Sequence, residues 1–338
     1  MKTRQIVFTK PCTAELLDVD SKAPEAGEVT VTLDYSAISA GTEKANFTGA
    51  RNAVSAKEDD EAIFPRTVGY SSAGVISAVG AGIDHLKIGD RVAVFGGTHK
   101  KHLTIHSNNV ITLPEDISTK EASMLYISVF PLAAIRKVHL EIGESALVMG
   151  LGILGLLAVQ ELKAAGACPI IAADPKEDRR ALALSMGADY ALDPTKEGFA
   201  DEVLSLTQGG TDVCMEVTGL GAGLISALDC MKERGRVALL GCTRSSKFEI
   251  DYYGKVHGRG ISLIGAHNNI RPAADSSAGY WTCIDDMKAV LRLLSGKRLN
   301  FESIIGQIHS PANAQSVYDR CVNDPKFPAG VLFDWSRI

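Results

Sequence analysis

Gly150, Gly152 and Gly155 raise the first chemical question, because the GxGxxG spacing lets backbone amides close on a phosphate. An apolar run at 146–149 precedes them, and residues 156–165 are good helix formers that stop at Gly166. The pattern predicts a strand, a tight turn and a helix. Gly150 would allow the turn, Gly152 the approach of a pyrophosphate, and Gly155 the packing of helix on strand. The amides around Ile153 and Leu154, at the positive end of the helix, would hold the phosphates.

The next apolar run, 169–173, ends in Asp174, about 20 residues after the turn, where a carboxylate can accept hydrogen bonds from ribose hydroxyls. Such a carboxylate repels a 2′-phosphate, so NAD is the expected cofactor and NADP the less favoured one. Lys176, Arg179 and Arg180 follow. A cation there could meet a phosphate, or these residues form the exposed first turn of a helix; Arg179 is carried as a cofactor-binding candidate.

A second polar set follows the sixth apolar strand: His267, Asn268, Asn269 and Arg271, with Trp281 soon after. Hydrogen-bonding groups at the carboxyl end of a parallel strand lie where such sheets bind ligands. His267, carried as a catalytic candidate, and the amides would suit hydroxyls, and Arg271 an anionic group. A capped loop is the competing reading. His99, His102 and His106, in THKKHLTIH, are the one metal suspect, but no cysteine or close carboxylate accompanies them, and a strand with exposed histidines is expected. His257 is expected on an exposed loop.

The elements that must position these groups fall into two patterns. Residues 1–120 alternate short β-like runs (29–35, 74–79, 91–95, 102–105) with turns, which predicts an antiparallel barrel. From 121 to 265 helices and strands alternate. Strands at 146–149, 169–173, 190–192, 213–217, 236–240 and 261–264 predict an α/β, doubly wound parallel sheet, with Gly166, Gly187 and Gly235 each ending a helix. Residues 266–338 are expected to return to the first unit, leaving a cleft between the halves.

The 338 residues, 46% hydrophobic and 22% charged, can form two domains. With a net charge of −5, nucleic acid is not expected as a partner, and no apolar run is long enough to span a bilayer. The start, MKTRQIVFTK, is too quickly polar for a signal peptide, which implies the cytoplasm. Seven cysteines without a CxxC argue against a disulfide framework.

SAISAGTEKANFTG (36–49), PRTVGYSSAGVI (65–76), IGDRVAVFG (88–96), VMGLGILG and GAD (187–189) together resemble a medium-chain dehydrogenase/reductase, along essentially the whole length. The resemblance implies a GroES-like catalytic domain and a Rossmann domain. It also implies that Thr218 and Gly241, at strand ends, face the cofactor. SxGTE at 39–43 resembles a zinc-lacking branch of that superfamily.

The departures from the zinc-dependent pattern bear on mechanism. Ser39 and Ala40 stand where a cysteine ligand is expected, Gly69-Tyr70-Ser71 replaces the histidine-bearing GHE, and SMLYISVF (123–130) lacks the third ligand. Zinc needs three or four Cys, His or carboxylate ligands at about 2.0–2.3 Å, so no zinc is expected. Proton transfer would then come from side chains. By resemblance Thr42 takes the place of the family's hydroxyl relay, Tyr70 that of the lost histidine, and Glu43 that of an acid held by a basic residue; for Glu43 structural and catalytic roles are both open.

The expected function is zinc-independent hydride transfer between NAD(H) and a secondary alcohol or ketone, a sugar or polyol derivative. The alternatives are an NADPH-dependent quinone or enoyl reductase and a non-catalytic, dinucleotide-binding redox sensor. The resemblance implies a homodimer or homotetramer joined through the Rossmann sheet edge.

Overall fold

A computed structural model describes residues 2–50, 63–243 and 247–338. The chain forms two compact units, residues 1–127 with 301–338, and residues 128–300.

The first unit contains β1 (Lys2–Lys10), β2 (Thr13–Asp20), β3 (Glu28–Ala37), α1 (Ala40–Phe47), β4 (Arg66–Thr67), β5 (Ser71–Val79), β6 (Arg91–Phe95), β7 (His102–His106), β8 (Val110–Thr112) and α2 (Thr119–Ala122). Helix α3 (Leu125–Lys137) spans the division between the units. β3 is the hub: it pairs antiparallel with β5, β7 and the late strand Gly330–Asp334. Its alternating apolar residues Val29, Val31 and Leu33 are fully buried among Ile6, Phe8, Phe47, Tyr318, Phe333 and Trp335. The expected antiparallel β architecture is therefore present.

The second unit holds β9 (Ala146–Met149), α4 (Ile153–Ala165), β10 (Ile170–Ala173), α5 (Glu177–Met186), β11 (Tyr190–Leu192), α6 (Phe199–Leu206), β12 (Thr211–Glu216), α7 (Gly221–Asp229), β13 (Met231–Leu239), β14 (Ser262–Gly265) and α8 (Cys283–Ser295). The strands form one parallel sheet in the order β11-β10-β9-β12-β13-β14. β9 and β10 are buried throughout, as strands covered on both faces require. The strand order reverses its direction of winding between β9 and β12, and the carboxyl ends of strands at such a reversal are where open α/β sheets bind ligands.

Two expectations are corrected. Gly235 does not end a helix; it lies inside β13, where pairing jumps from Thr211↔Met231 to Val213↔Arg236, so residues 232–235 bulge and Arg234 takes a φ of 61°. Nor does the chain leave the second unit at residue 266. Residues 266–300 belong to it, because Arg271, Trp281 and Asp286 tie this stretch to α3, and Gln160 of α4 bonds both backbone groups of Asn300. The return starts at Phe301 and supplies β15 (Ile305–His309), α9 (Ala314–Asn323) and β16 (Gly330–Asp334) to the first unit.

Candidate active site

The glycine turn has the shape its spacing predicts. Gly150 has a φ of 98°, and a Cβ on it would lie 3.0 Å from Cγ2 of Thr218. A Cβ on Gly155 would lie 1.9 Å from the carbonyl oxygen of Gly150, so α4 can pack on the turn only with glycine there. A Cβ on Gly152 would meet open space. Ile153 and Leu154 open α4, in the turn whose amides have no partner within a helix.

Asp174 leaves β10 beside this turn. Its Oδ2 accepts the Leu151 amide at 2.8 Å and its Oδ1 the Lys176 amide at 2.9 Å, so the backbone aims the carboxylate. Each oxygen keeps acceptor capacity for a ribose hydroxyl. Arg179 is buried, and Arg180 spends Nη1 on the carbonyls of Asp174 and Pro175.

Thr218 donates to Glu216 and accepts from the Leu220 amide at 3.0 Å, so its hydroxyl shapes its own turn. A Cβ on Gly241 would lie 2.4 Å from the Gly219 nitrogen, which presses the two turns together. Glu216, at the end of β12, was not singled out from the sequence; burial pushes its carboxyl above the usual range despite bonds from Thr218 and Gly219. A carboxylate closing an apolar strand was the available signal.

The cluster after β14 is only partly a free surface. His267 is exposed and accepts the Asn269 amide at Nδ1, and Asn269 is exposed beside it. Asn268 is buried and accepts from Arg271 Nε at 2.8 Å. Arg271 also donates to Asp286 Oδ2 and to the Val129 carbonyl, and Arg136 covers the Trp281 ring at 3.5 Å. The expectation that Arg271 and Trp281 receive substrate gives way to a structural role, because the Arg271 donors are spent on Asn268, Asp286 and Val129 and one face of the Trp281 ring is taken by Arg136.

In the first unit, Ser39, Thr42 and Tyr70 form a hydroxyl cluster. Tyr70 donates to Ser39 Oγ, Thr42 lies within its hydrogen-bonding environment, and the Tyr70 ring stands edge-on to Tyr126 at 5.6 Å. Burial, reinforced by the charge of Glu43, holds the Tyr70 hydroxyl well above its usual pKa.

Behind this cluster Glu43, 1% exposed, accepts the Ser39 amide at 2.9 Å, His99 Nε2 at 3.1 Å and the Tyr318 hydroxyl at 2.6 Å. Glu43 is thus a buried brace. His99 Nδ1 lies 2.7 Å from Ser36 Oγ, which accepts from Trp335 Nε1 at 2.8 Å.

These residues do not offer a zinc set. Ser39 and Tyr70 are neutral hydroxyls, Glu43 already accepts three hydrogen bonds, and both nitrogens of His99 are engaged. His102 Nδ1 bonds Thr32 and His106 Nδ1 accepts the Asn108 amide, so the three histidines serve separate partners, and the expectation of exposed histidines without a close carboxylate fails at His99, which is fully buried against Glu43. His257 is exposed and stacks on Tyr253 at 5.5 Å. Among the described residues no group of three His, Cys, Asp or Glu could hold a metal ion.

A GroES-like alcohol dehydrogenase domain model matches residues 25–115, and a zinc-binding dehydrogenase model matches residues 154–276. L-threonine 3-dehydrogenase of Thermococcus kodakarensis is 30% identical over 274 residues, covering 71% of this chain and 75% of that protein. D-guloside 3-dehydrogenase of Escherichia coli K12 is 25% identical over 351 residues, covering 98% of this chain and all of that protein. An alcohol dehydrogenase of Escherichia coli CFT073, solved with NADH, superposes with a TM-score of 0.83 at 19% identity and covers 99% of both chains.

The chain belongs to the medium-chain dehydrogenase/reductase superfamily of zinc-type alcohol dehydrogenases. Within it, the chain is an NAD(P)-dependent alcohol dehydrogenase. No helix of the described residues is long and apolar enough to cross a membrane.

Proposed function

We propose that this chain is a zinc-independent, NAD(H)-dependent dehydrogenase that moves a hydride between nicotinamide and a secondary alcohol or its ketone, a sugar or polyol derivative. It belongs in this reading to a zinc-lacking branch marked by SxGTE. The observation that carries the reading is the Tyr70–Ser39–Thr42 hydroxyl cluster, at the positions where relatives with metal would present a thiolate and an imidazole. Tyr70, which keeps its proton at neutral pH, suits donation to a carbonyl oxygen as hydride reaches the carbon; in this reading Thr42 and Ser39, both hydrogen-bonded to Tyr70, relay its replacement.

Asp174, aimed by two amides, favours a free ribose hydroxyl and so NAD over NADP. The guloside dehydrogenase similarity supports a sugar-like substrate. His267 and Asn269 remain the exposed polar groups for substrate hydroxyls. A cytoplasmic setting suits seven free cysteines, and the outermost strand β14 offers an edge for a homodimer or homotetramer.

The test is nicotinamide absorbance with NAD or NADP against sugars, sugar acids, polyols and simple alcohols. Turnover with NAD on a polyhydroxylated substrate supports the reading. Turnover only of quinones or enones with NADPH overturns it, as does dinucleotide binding without turnover of any of these compounds.

A further inference from the structure

We infer that His99 is a positioning residue for the Ser39–Thr42–Tyr70 cluster, bracing from one imidazole the two separate chain segments that carry these hydroxyls. The inference rests on the proposed function for its catalytic consequence, but its structural part stands on geometry alone.

The first segment is the start of α1. Nε2 of His99 lies 3.1 Å from Oε2 of Glu43, and Oε1 of Glu43 holds the Ser39 amide at 2.9 Å. Ser39 precedes α1 without a side-chain cap of its own, so this carboxylate reaches back to close the helix entry from which Ser39 and Thr42 project. The second segment is Gly69-Tyr70. Gly69 has a φ of 102°, and a Cβ on it would lie 2.3 Å from Cγ of His99. The imidazole therefore lies against the backbone immediately before Tyr70, and the His99 amide also donates to the Val68 carbonyl at 2.7 Å.

The proton arrangement is constrained. Ser36 Oγ accepts from Trp335 and is left with one hydrogen to give. Either Ser36 donates to Nδ1 and a neutral His99 donates from Nε2 to Glu43, or an imidazolium donates to both. In each case Nε2–H faces Glu43, so the ring cannot rotate without leaving a fully buried carboxylate short of a donor.

The charged and titratable groups around this brace come from several elements: Tyr318 and Cys321 of α9, Lys44 of α1, and Tyr70 and Tyr126 on the side of the cluster. Losing the His99 donor leaves the Glu43 charge less compensated beside Tyr70. That change raises the tendency of Tyr70 to keep its proton and loosens its alignment together.

The experiment compares wild type with His99→Phe, which keeps a ring against Gly69 but donates nothing, and His99→Gln, which restores a donor toward Glu43. Amide hydrogen exchange across residues 39–47 and 68–72 is measured alongside kcat, KM, the pH profile and NADH affinity. His99→Phe is expected to raise exchange in both segments at least tenfold and to lower kcat at least tenfold. KM and NADH affinity should stay within about twofold, and His99→Gln should recover most of both losses.

Unchanged exchange in His99→Phe overturns the brace, whether or not any substrate turns over. Raised exchange with unchanged kcat overturns the link to catalysis, as does a failure of His99→Gln to recover. If wild type turns over no alcohol or ketone, the proposed function and the catalytic link fall, while exchange still decides the brace. Should His99→Phe fail to fold, the His99→Gln comparison decides: exchange and kcat near wild type support the brace, and losses equal to those of His99→Ala contradict it.

Discussion

Arg271 and Asp286, fifteen residues apart, meet at 2.5 Å with the carboxylate fully buried, and Arg136 closes on the other carboxylate oxygen at 2.7 Å. One aspartate at the start of α8 thus anchors both the loop after β14 and the end of α3. Asp286→Ala removes the shared counter-charge of two guanidiniums, one of them 8% exposed. Breaking a buried pair from one side costs about 3–5 kcal/mol, and urea unfolding followed by a probe in the second unit should report a loss of that order. A loss below about 1 kcal/mol would show that the anchor carries little.

Glu161 of α4 lies close enough to this network to feel its charges, and neither of its carboxyl oxygens has a hydrogen-bond partner among the described residues. Burial, aided by the charge of Asp286, raises its pKa well above the usual value. The acid keeps its proton in the fold after it has lost it in the unfolded chain. As pH rises above about 4.5, the unfolded state therefore gains relative stability until the buried group also ionises. Glu161→Gln should raise Tm by a few degrees at pH 7–8, with the gain shrinking toward pH 5; a gain that grows on acidification contradicts the assignment.

The glycine turn makes a sharper prediction. With a Cβ 1.9 Å from the Gly150 carbonyl oxygen, Gly155→Ala must push α4 off the turn. NADH affinity, read by nicotinamide fluorescence, should fall at least tenfold, which corresponds to about 1.4 kcal/mol. Retained affinity would mean that α4 does not carry the phosphate amides.

Asp174→Ser removes the charge that repels a 2′-phosphate while Lys176 stays exposed nearby. The ratio of kcat/KM for NAD over NADP should drop by about tenfold or more. An unchanged ratio would place cofactor discrimination elsewhere.

Much of the fold was legible because it is written in local patterns. The glycine spacing and the run ending in Asp174 each fell within about 25 residues, and the structure keeps both. Gly235 misled because a helix stop and a bulge both call for glycine, and only pairing with β12 distinguishes them. The site was less legible. Thr42, Glu43 and Tyr70 could be named, but the partners that define Glu43 come from His99 and Tyr318, 56 and 275 residues away. Arg271 read as an anion receptor for the same reason: Asp286 and the Val129 carbonyl, which take its donors, become neighbours only once α3 and α8 have packed.

Tyr70 is the most direct test of the account. Burial holds its proton through the neutral range, so carbonyl reduction should stay flat with pH and fall only above the usual tyrosine value of about 10. The decisive measurement is NADH-dependent ketone reduction by metal-stripped wild type and Tyr70→Phe, each with and without stoichiometric zinc. The account predicts full activity of stripped wild type, no gain from zinc, and a loss of about 10²–10⁴ in kcat for Tyr70→Phe at unchanged NADH affinity. Activity that disappears on stripping and returns with zinc, or a Tyr70→Phe enzyme as fast as wild type, would contradict it.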